Sequence, residues 1–203
     1  MRGVADQPSG MRRLWKGEAA SSTGGRPRLW WALALLLALL IVARAGGLGT
    51  AAEVVRLGAV APDLTFTTPD GRSHRLSEFR GRPVLLWLVA TWCPSCQAGT
   101  AAVARHLPEL AKAGMTVIQL RLYDNLGYPG PSMAEFIRAA AGPVRPSPAW
   151  VWGDASQAAS YLYDPRGYPD IYFLIDRHGV LRAVNGAPNV TMDEILAFAR
   201  RAP

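Results

Sequence analysis

Apolar residues come in runs of two lengths along this chain, and each length dictates a different element. The long run is Leu29–Ala43, uninterrupted. The short ones come later: Val84–Ala90, Met115–Leu122 with Val117-Ile118 at its centre, Ala149–Trp152, Ile171–Asp176 and Val180–Val184. Runs this brief, rich in β-branched and aromatic residues and bounded by Gly or Pro, predict strands. Leu64-Thr65-Phe66-Thr67 alternates, Pro69-Asp70-Gly71-Arg72 turns, and Ser73–Leu76 returns, so a small hairpin leads the set. Helices are expected from Ser77 to Phe79 (a single turn), Pro94 to about Ala113, Met133 to Ala141, Ser156 to Tyr161, and about Thr191 to Arg201. Thr191-Met192-Asp193-Glu194 has the form of a capping box that opens the last one. Pro108 is expected to kink or split the helix that contains it. Tyr123–Pro131 and Gly142–Pro148, rich in Gly and Pro, read as loops. Strands alternating with helices and ending in a hairpin about Arg177-His178-Gly179 predict an α/β sheet with helices on both faces.

Taken as a helix, the long run is roughly 22 Å, short of the roughly 30 Å hydrocarbon core of a bilayer. If Arg44 snorkels to the interface, the segment extends through Gly49 and spans. Trp30 and Trp31 suit an interfacial belt, and the arginines before them place the N-terminus in the cytoplasm. Ala43-Arg44-Ala45 also has the small-x-small form of a signal cleavage site, but the 28-residue, largely polar stretch ahead of the run is long for a signal n-region. An uncleaved anchor is preferred to a cleaved signal, and either puts residues 50–203 outside the cytoplasm. The division expected is a disordered basic tail (1–28), an anchor or signal segment (29–49), a Gly/Ala-rich tether (50–60) and one folded domain (61–203).

Charge changes the picture only by its placement. Of 22 basic and 15 acidic residues, seven and two fall within 1–45, leaving the rest of the chain nearly neutral. The net +7 is therefore a topology signal and makes no case for a nucleic-acid partner.

The two cysteines of the chain stand three apart in Trp92-Cys93-Pro94-Ser95-Cys96, directly after the first buried strand. Pro94 suits the first turn of a helix. Cys93 would then lie at the helix N-terminus, where unpaired N–H groups and the dipole favour a thiolate. Cys96, one turn on, could attack a mixed disulfide formed by Cys93. Zinc would want a second Cys or His pair, and His74, His106 and His178 lack ligand spacing. A structural disulfide closing so short a loop removes little chain entropy. Dithiol exchange is the chemistry that fits, with no metal or organic cofactor implied.

From residue 57 on, the chain resembles the membrane-tethered thiol-disulfide oxidoreductases of thioredoxin fold, the TlpA/ResA/CcmG-like group. Ala61-Pro62-Asp63-Leu64 with the hairpin and Leu76-Ser77-Glu78-Phe79-Arg80-Gly81 resembles their N-terminal addition. Leu88–Cys96 is similar to their active-site segment, and Phe173-Leu174-Ile175-Asp176-Arg177-His178-Gly179 to their last hairpin. Gly167-Tyr168-Pro169 is similar to the loop whose cis-proline lies opposite the dithiol. The resemblance implies a thioredoxin-like fold: a central mixed sheet flanked by helices, with the hairpin addition and one N-terminal anchor helix. It implies Cys93 and Cys96 as the catalytic pair, supported by Trp92, Pro94, Tyr168, Pro169 and Asp170. Tyr168 would lend backbone to an extended partner segment.

Two positions depart from the group. Where thioredoxins bury an Asp, six residues before the first cysteine, this chain has Trp87, expected to be core. Where several relatives carry a Glu, three residues after the second cysteine, it has Gly99. Asp170 is then the best remaining proton acceptor for Cys96, with Glu78 and Asp124 behind it. Trp150 and Trp152, two apart, are expected to share one core-facing side. The function implied is an extracytoplasmic reductant of disulfides in exported proteins, of cytochrome c maturation type, re-reduced by a membrane electron donor. An oxidase of the same fold and a Cu(I)-carrying chaperone stay open. The copper-carrying relatives use Cys-x-x-x-Cys and a distant His, however, and the spacing here is one residue short. A peroxidase would need P-x-x-x-T-x-x-C, which is missing.

Overall fold

Every residue of Val84–Val89 is buried, so this strand must be central in a sheet covered on both faces. The computed structural model describes residues 54–143 and 147–201 and places it so. The strands are β1 (Thr65–Thr67), β2 (Ser73–Arg75), β3 (Val84–Val89), β4 (Thr116–Arg121), β5 (Trp150–Ala155), β6 (Asp170–Ile175) and β7 (Leu181–Asn185). They form one mixed sheet in the order β2-β1-β5-β4-β3-β6-β7. The β3–β4 and β4–β5 pairs are parallel and the rest antiparallel. The helices are α1 (Pro94–Lys112), α2 (Met133–Ala141), α3 (Gln157–Tyr163) and α4 (Pro188–Arg201).

Period-two alternation along β3 sorts the core into two layers. Leu85, Trp87 and Val89 pack with α1, α2 and α4, and Trp150 and Trp152 share that side, as their spacing requires. Val84, Leu86 and Leu88 pack with Phe66 of β1, with Leu76 and Phe79 of a 3-10 turn (Leu76–Phe79), and with Ala159 and Tyr163 of α3. The sheet thus carries helices on both faces, with the hairpin added at one edge.

Four local expectations need correction. Pro108 does not split α1, which runs Pro94–Lys112 as one helix; buried Val103 and Leu110 clamp it on either side of the proline. Thr191 does not open the last helix. That helix starts at Pro188, and Thr191 sits at an internal kink (φ −110°, ψ 15°). Its hydroxyl accepts from Tyr172 Oη (2.9 Å) and turns toward the Gly186 and Ala187 carbonyls, while Glu194 accepts from Asn185 Nδ2 (3.3 Å). Within the 123–131 loop, Tyr123–Gly127 forms a tight turn in which Asp124, Asn125 and Leu126 all have left-handed φ (50°, 50° and 61°). The last part of the expected tether is tied down: Gly58 N–H donates to Leu181, Leu181 N–H to Ala59, and Ala61 N–H to Gly179.

The basic tail and the apolar run expected to form the membrane anchor lie outside the described residues. Among the described residues no helix is long and apolar enough to cross a membrane.

Candidate active site

β3 ends at Val89, and the chain must turn from sheet to helix within four residues. Ala90 N–H donates to the Pro169 carbonyl and Cys93 N–H to the Ala90 carbonyl, which closes the turn. Pro94 then starts α1 at the position where its missing N–H costs nothing. Cys93 is the N-cap: its sulfur accepts from Cys96 N–H (3.5 Å) and lies 3.1 Å from Ser95 Oγ. Both thiols are free, Cys93 at 5% exposure and Cys96 fully buried behind it. The outer sulfur is thus reachable at its edge, and the inner one can meet only what Cys93 carries.

Cys96 donates its S–H to the Pro169 carbonyl (2.8 Å). Its burial, and then the charge of nearby Asp170, push the thiol far above the ordinary thiol range. Left alone, Cys96 stays protonated at neutral pH, so a resolving role needs a base close by.

Among the described residues, Asp170 is the carboxylate grouped with the two thiols. Its carboxylate and the two sulfurs lie within 4.8 Å of one another, the single such donor cluster among the described residues. The pairing Val89↔Asp170 puts the carboxylate at the end of β6 beside the strand that delivers the cysteines. One oxygen accepts the Trp87 indole N–H (2.8 Å), while the other is buried without a partner. Glu78 and Asp124 do not reach the thiols. Glu78 is held by His74 Nδ1 and Arg75 N–H at the hairpin, and Asp124 is exposed on the left-handed turn. The same three donors could grip a metal, but two soft thiolates with one hard carboxylate, and no histidine, are a poor set for Cu(I) or tetrahedral zinc.

Trp87 occupies both missing acid positions at once. It stands where thioredoxins bury an Asp, and its ring fills the space beside Gly99: a Cβ there would lie 2.8 Å from Trp87 Cη2 and 2.9 Å from Cζ2. A longer side chain at 99 has no room.

The rim is set by the left-handed turn after β4. Asn125 Oδ1 accepts from Thr91 N–H (2.8 Å), its Nδ2 donates to the Tyr128 carbonyl (3.0 Å), and its own carbonyl accepts from Trp92 Nε1 (2.8 Å). Trp92, 39% exposed, lies edge-on to Tyr128 (centroids 5.1 Å apart) and shapes the surface next to Cys93. Across the site the Gly167-Tyr168-Pro169 loop presents an exposed Tyr168, with Gly167 within reach of Leu126. Pro169 contributes its carbonyl to Cys96 and Ala90. The fold thus brings together Trp92, Cys93, Pro94, Cys96, Tyr168, Pro169 and Asp170, all expected from the sequence. Sequence reasoning missed Asn125, whose one signal is that Asn tolerates left-handed φ, and it gave Trp87 no part beyond the core.

A strand-to-helix dithiol on a mixed sheet of this order can be set beside known proteins. Residues 57–184 match the model of the AhpC/TSA family. The chain belongs to that family. Within it, the chain is similar to the thiol-disulfide oxidoreductase ResA of Geobacillus thermodenitrificans, 31% identical over 104 residues, or 51% of this chain and 58% of the relative. It is also similar to the thiol:disulfide interchange protein DsbE of Vibrio cholerae, 38% identical over 82 residues, or 39% of this chain and 42% of that one. The chain thus spans about half the length of the curated relatives it matches. In fold it is similar to the crystal structure of a DsbE-type thiol:disulfide interchange protein of Chlorobium tepidum (TM-score 0.54, 22% identity), covering 72% of this chain and 99% of that one. The thioredoxin-like fold expected from the sequence is what the family and this structure share.

Proposed function

We propose that this AhpC/TSA-family protein is a thiol-disulfide oxidoreductase that reduces disulfides in exported proteins. The observation that carries the reading is the free Cys93–Cys96 pair, one thiol 5% exposed at a helix N-terminus and the other fully buried behind it beside a carboxylate. Cys93 as thiolate attacks a partner disulfide, forming a mixed disulfide and releasing one partner thiol. Cys96 then attacks Cys93, the Cys93–Cys96 bond forms, and the second partner sulfur leaves as a thiol. The partner gains two electrons and the protein loses two, so a dithiol donor must restore it. A peroxidase reading finds no support in the sequence, because Leu86 and Ala90 stand where the peroxidatic pattern needs Pro and Thr.

Within this reading the domain works outside the cytoplasm, held by an anchor at 29–49 and re-reduced by a membrane electron carrier. The apolar run behind six basic residues supports that placement. The Pro-Ser dipeptide supports a reductant of cytochrome c maturation type, by its likeness to Pro-Thr in such proteins.

Equilibration against glutathione and thioredoxin tests direction. A reduction potential near about −270 mV is expected, and one near about −120 mV would make the protein an oxidant of exported thiols. Cys96→Ala should trap partners on Cys93 as mixed disulfides. Recovery of none, with Cys93 intact, would overturn the exchange reading.

A further inference from the structure

We propose that Trp87 is a positioning residue for the resolving step: its indole N–H fixes one oxygen of Asp170 so that the other takes the proton of Cys96. The inference rests on the exchange reading above and goes beyond it by assigning the base and what holds it. Three observations carry it. Trp87 is fully buried, yet its Nε1 finds a partner, the Asp170 carboxylate, at 2.8 Å. The remaining oxygen of Asp170 is buried without a partner, and the carboxylate belongs to the cluster within 4.8 Å of both sulfurs. And the Trp87 ring excludes a side chain from position 99, so the carboxylates that would otherwise serve Cys96 from β3 or α1 are absent together.

A buried carboxylate free to rotate could turn either oxygen, or neither, toward the thiols. The indole removes that freedom. The titratable groups that face Asp170 are Cys93 and Cys96 from α1 and Tyr172 from its own strand, with Glu194 of α4 acting on Tyr172. Tyr172 donates its hydroxyl proton to Thr191, which leaves the thiols as the acid partners of the free oxygen. In the resolving step the Cys96 S–H leaves the Pro169 carbonyl and its proton passes to Asp170. The thiolate attacks Cys93, the Cys93–Cys96 bond forms, the bond from Cys93 to the partner sulfur breaks, and the departing thiolate takes up a proton.

Glutathione disulfide is the probe. Reduced full-length protein is mixed with it, quenched in acid at intervals, and the protein–glutathione adduct is quantified by mass spectrometry between pH 5 and 10. In the unaltered protein the adduct resolves as fast as it forms. Asp170→Asn, which keeps an acceptor for the indole but offers no base, should slow resolution at pH 7 by about 10²-fold, the lower end of the range for a lost acid–base group. Trp87→Phe should slow it about tenfold, as for one hydrogen bond to a charged group. Adduct should accumulate in both, because resolution slows more than Cys93 attack, and the defect should fade toward pH 10 as hydroxide replaces the carboxylate. The double variant should be no slower than Asp170→Asn alone. If Trp87→Phe slows attack and resolution alike with no adduct, or if Asp170→Asn resolves normally, the assignment is wrong while dithiol exchange stands. If the unaltered protein forms no Cys93-dependent adduct and releases no glutathione, the exchange reading itself fails.

Discussion

At the scale of single residues, the site is organised by one substitution of kind: an indole stands where thioredoxins put a carboxylate. Its consequence reaches Gly99 on α1. A Cβ there would press on Trp87 Cη2 and Cζ2 at under 3 Å and on Pro188 Cδ at 3.2 Å, all of them parts of a rigid, fully packed neighbourhood. Alanine is the better helix former by about 1 kcal/mol, so propensity alone would make Gly99→Ala stabilising. The steric clash has the opposite sign and is larger, and Gly99→Ala should lose about 1–3 kcal/mol on urea unfolding. In a Trp87→Phe background the same change should cost little or nothing, because the clashing atoms are gone. A double-mutant cycle that shows simple additivity would mean that the two residues do not contend for one space.

At the scale of elements, the working surface is three segments brought to the same end of the sheet: the start of α1, the turn after β4, and the 167–169 loop. The first and third were legible because their signals are local, a Cys-x-x-Cys after an apolar run and a Gly-Tyr-Pro before a strand. The middle one was not, because a Gly/Pro-rich stretch says only "loop" and three consecutive left-handed residues have no compositional mark beyond Asn125. The capping-box reading failed for a similar reason. Thr191 has the right spacing to Glu194, but Tyr172 of the adjoining strand β6 competes for its hydroxyl, and no helix-local pattern contains that contact. Asn125 is the test of the turn. Replacing it strands the buried Thr91 N–H, so Asn125→Gly should cost about 1–3 kcal/mol. Asn125→Ala should cost about 1 kcal/mol more, since alanine must also hold φ 50°. Denaturant melts of the two variants decide this. An alanine variant as stable as the glycine one would mean that the position makes no demand on backbone handedness.

At the scale of the whole molecule, the thiols sit at one end of the sheet, while stability is set partly by the hairpin that closes the opposite end. Asp176 lies there with its side chain fully buried, accepting from His178 N–H and Val180 N–H (both 2.9 Å) and from Arg182 Nε (2.6 Å). Burial alone would raise its carboxyl, but those donors outweigh it and hold the group below the usual carboxylate range. A carboxyl depressed in the folded state binds fewer protons there than in the unfolded chain. Its contribution is therefore complete above the unfolded value, about 3.9, and is lost as pH falls through the folded value. Asp164 has the opposite sign: burial raises its carboxyl, so its stabilising influence is greatest in acid and declines as pH rises. The two oppose each other below neutrality, and only a difference measurement separates them. Asp176→Asn keeps an acceptor for both backbone N–H groups but gives up the charge that Arg182 meets, so it should cost about 1–3 kcal/mol at pH 7. Chemical unfolding of both proteins from pH 7 down to pH 2 should show the gap constant to about pH 5 and then closing, because protonation turns the native Asp176 into a neutral group like its replacement. A gap that stays open at the acid end would mean that the introduced amide disturbs packing, and that the charge of Asp176 is not what the hairpin uses.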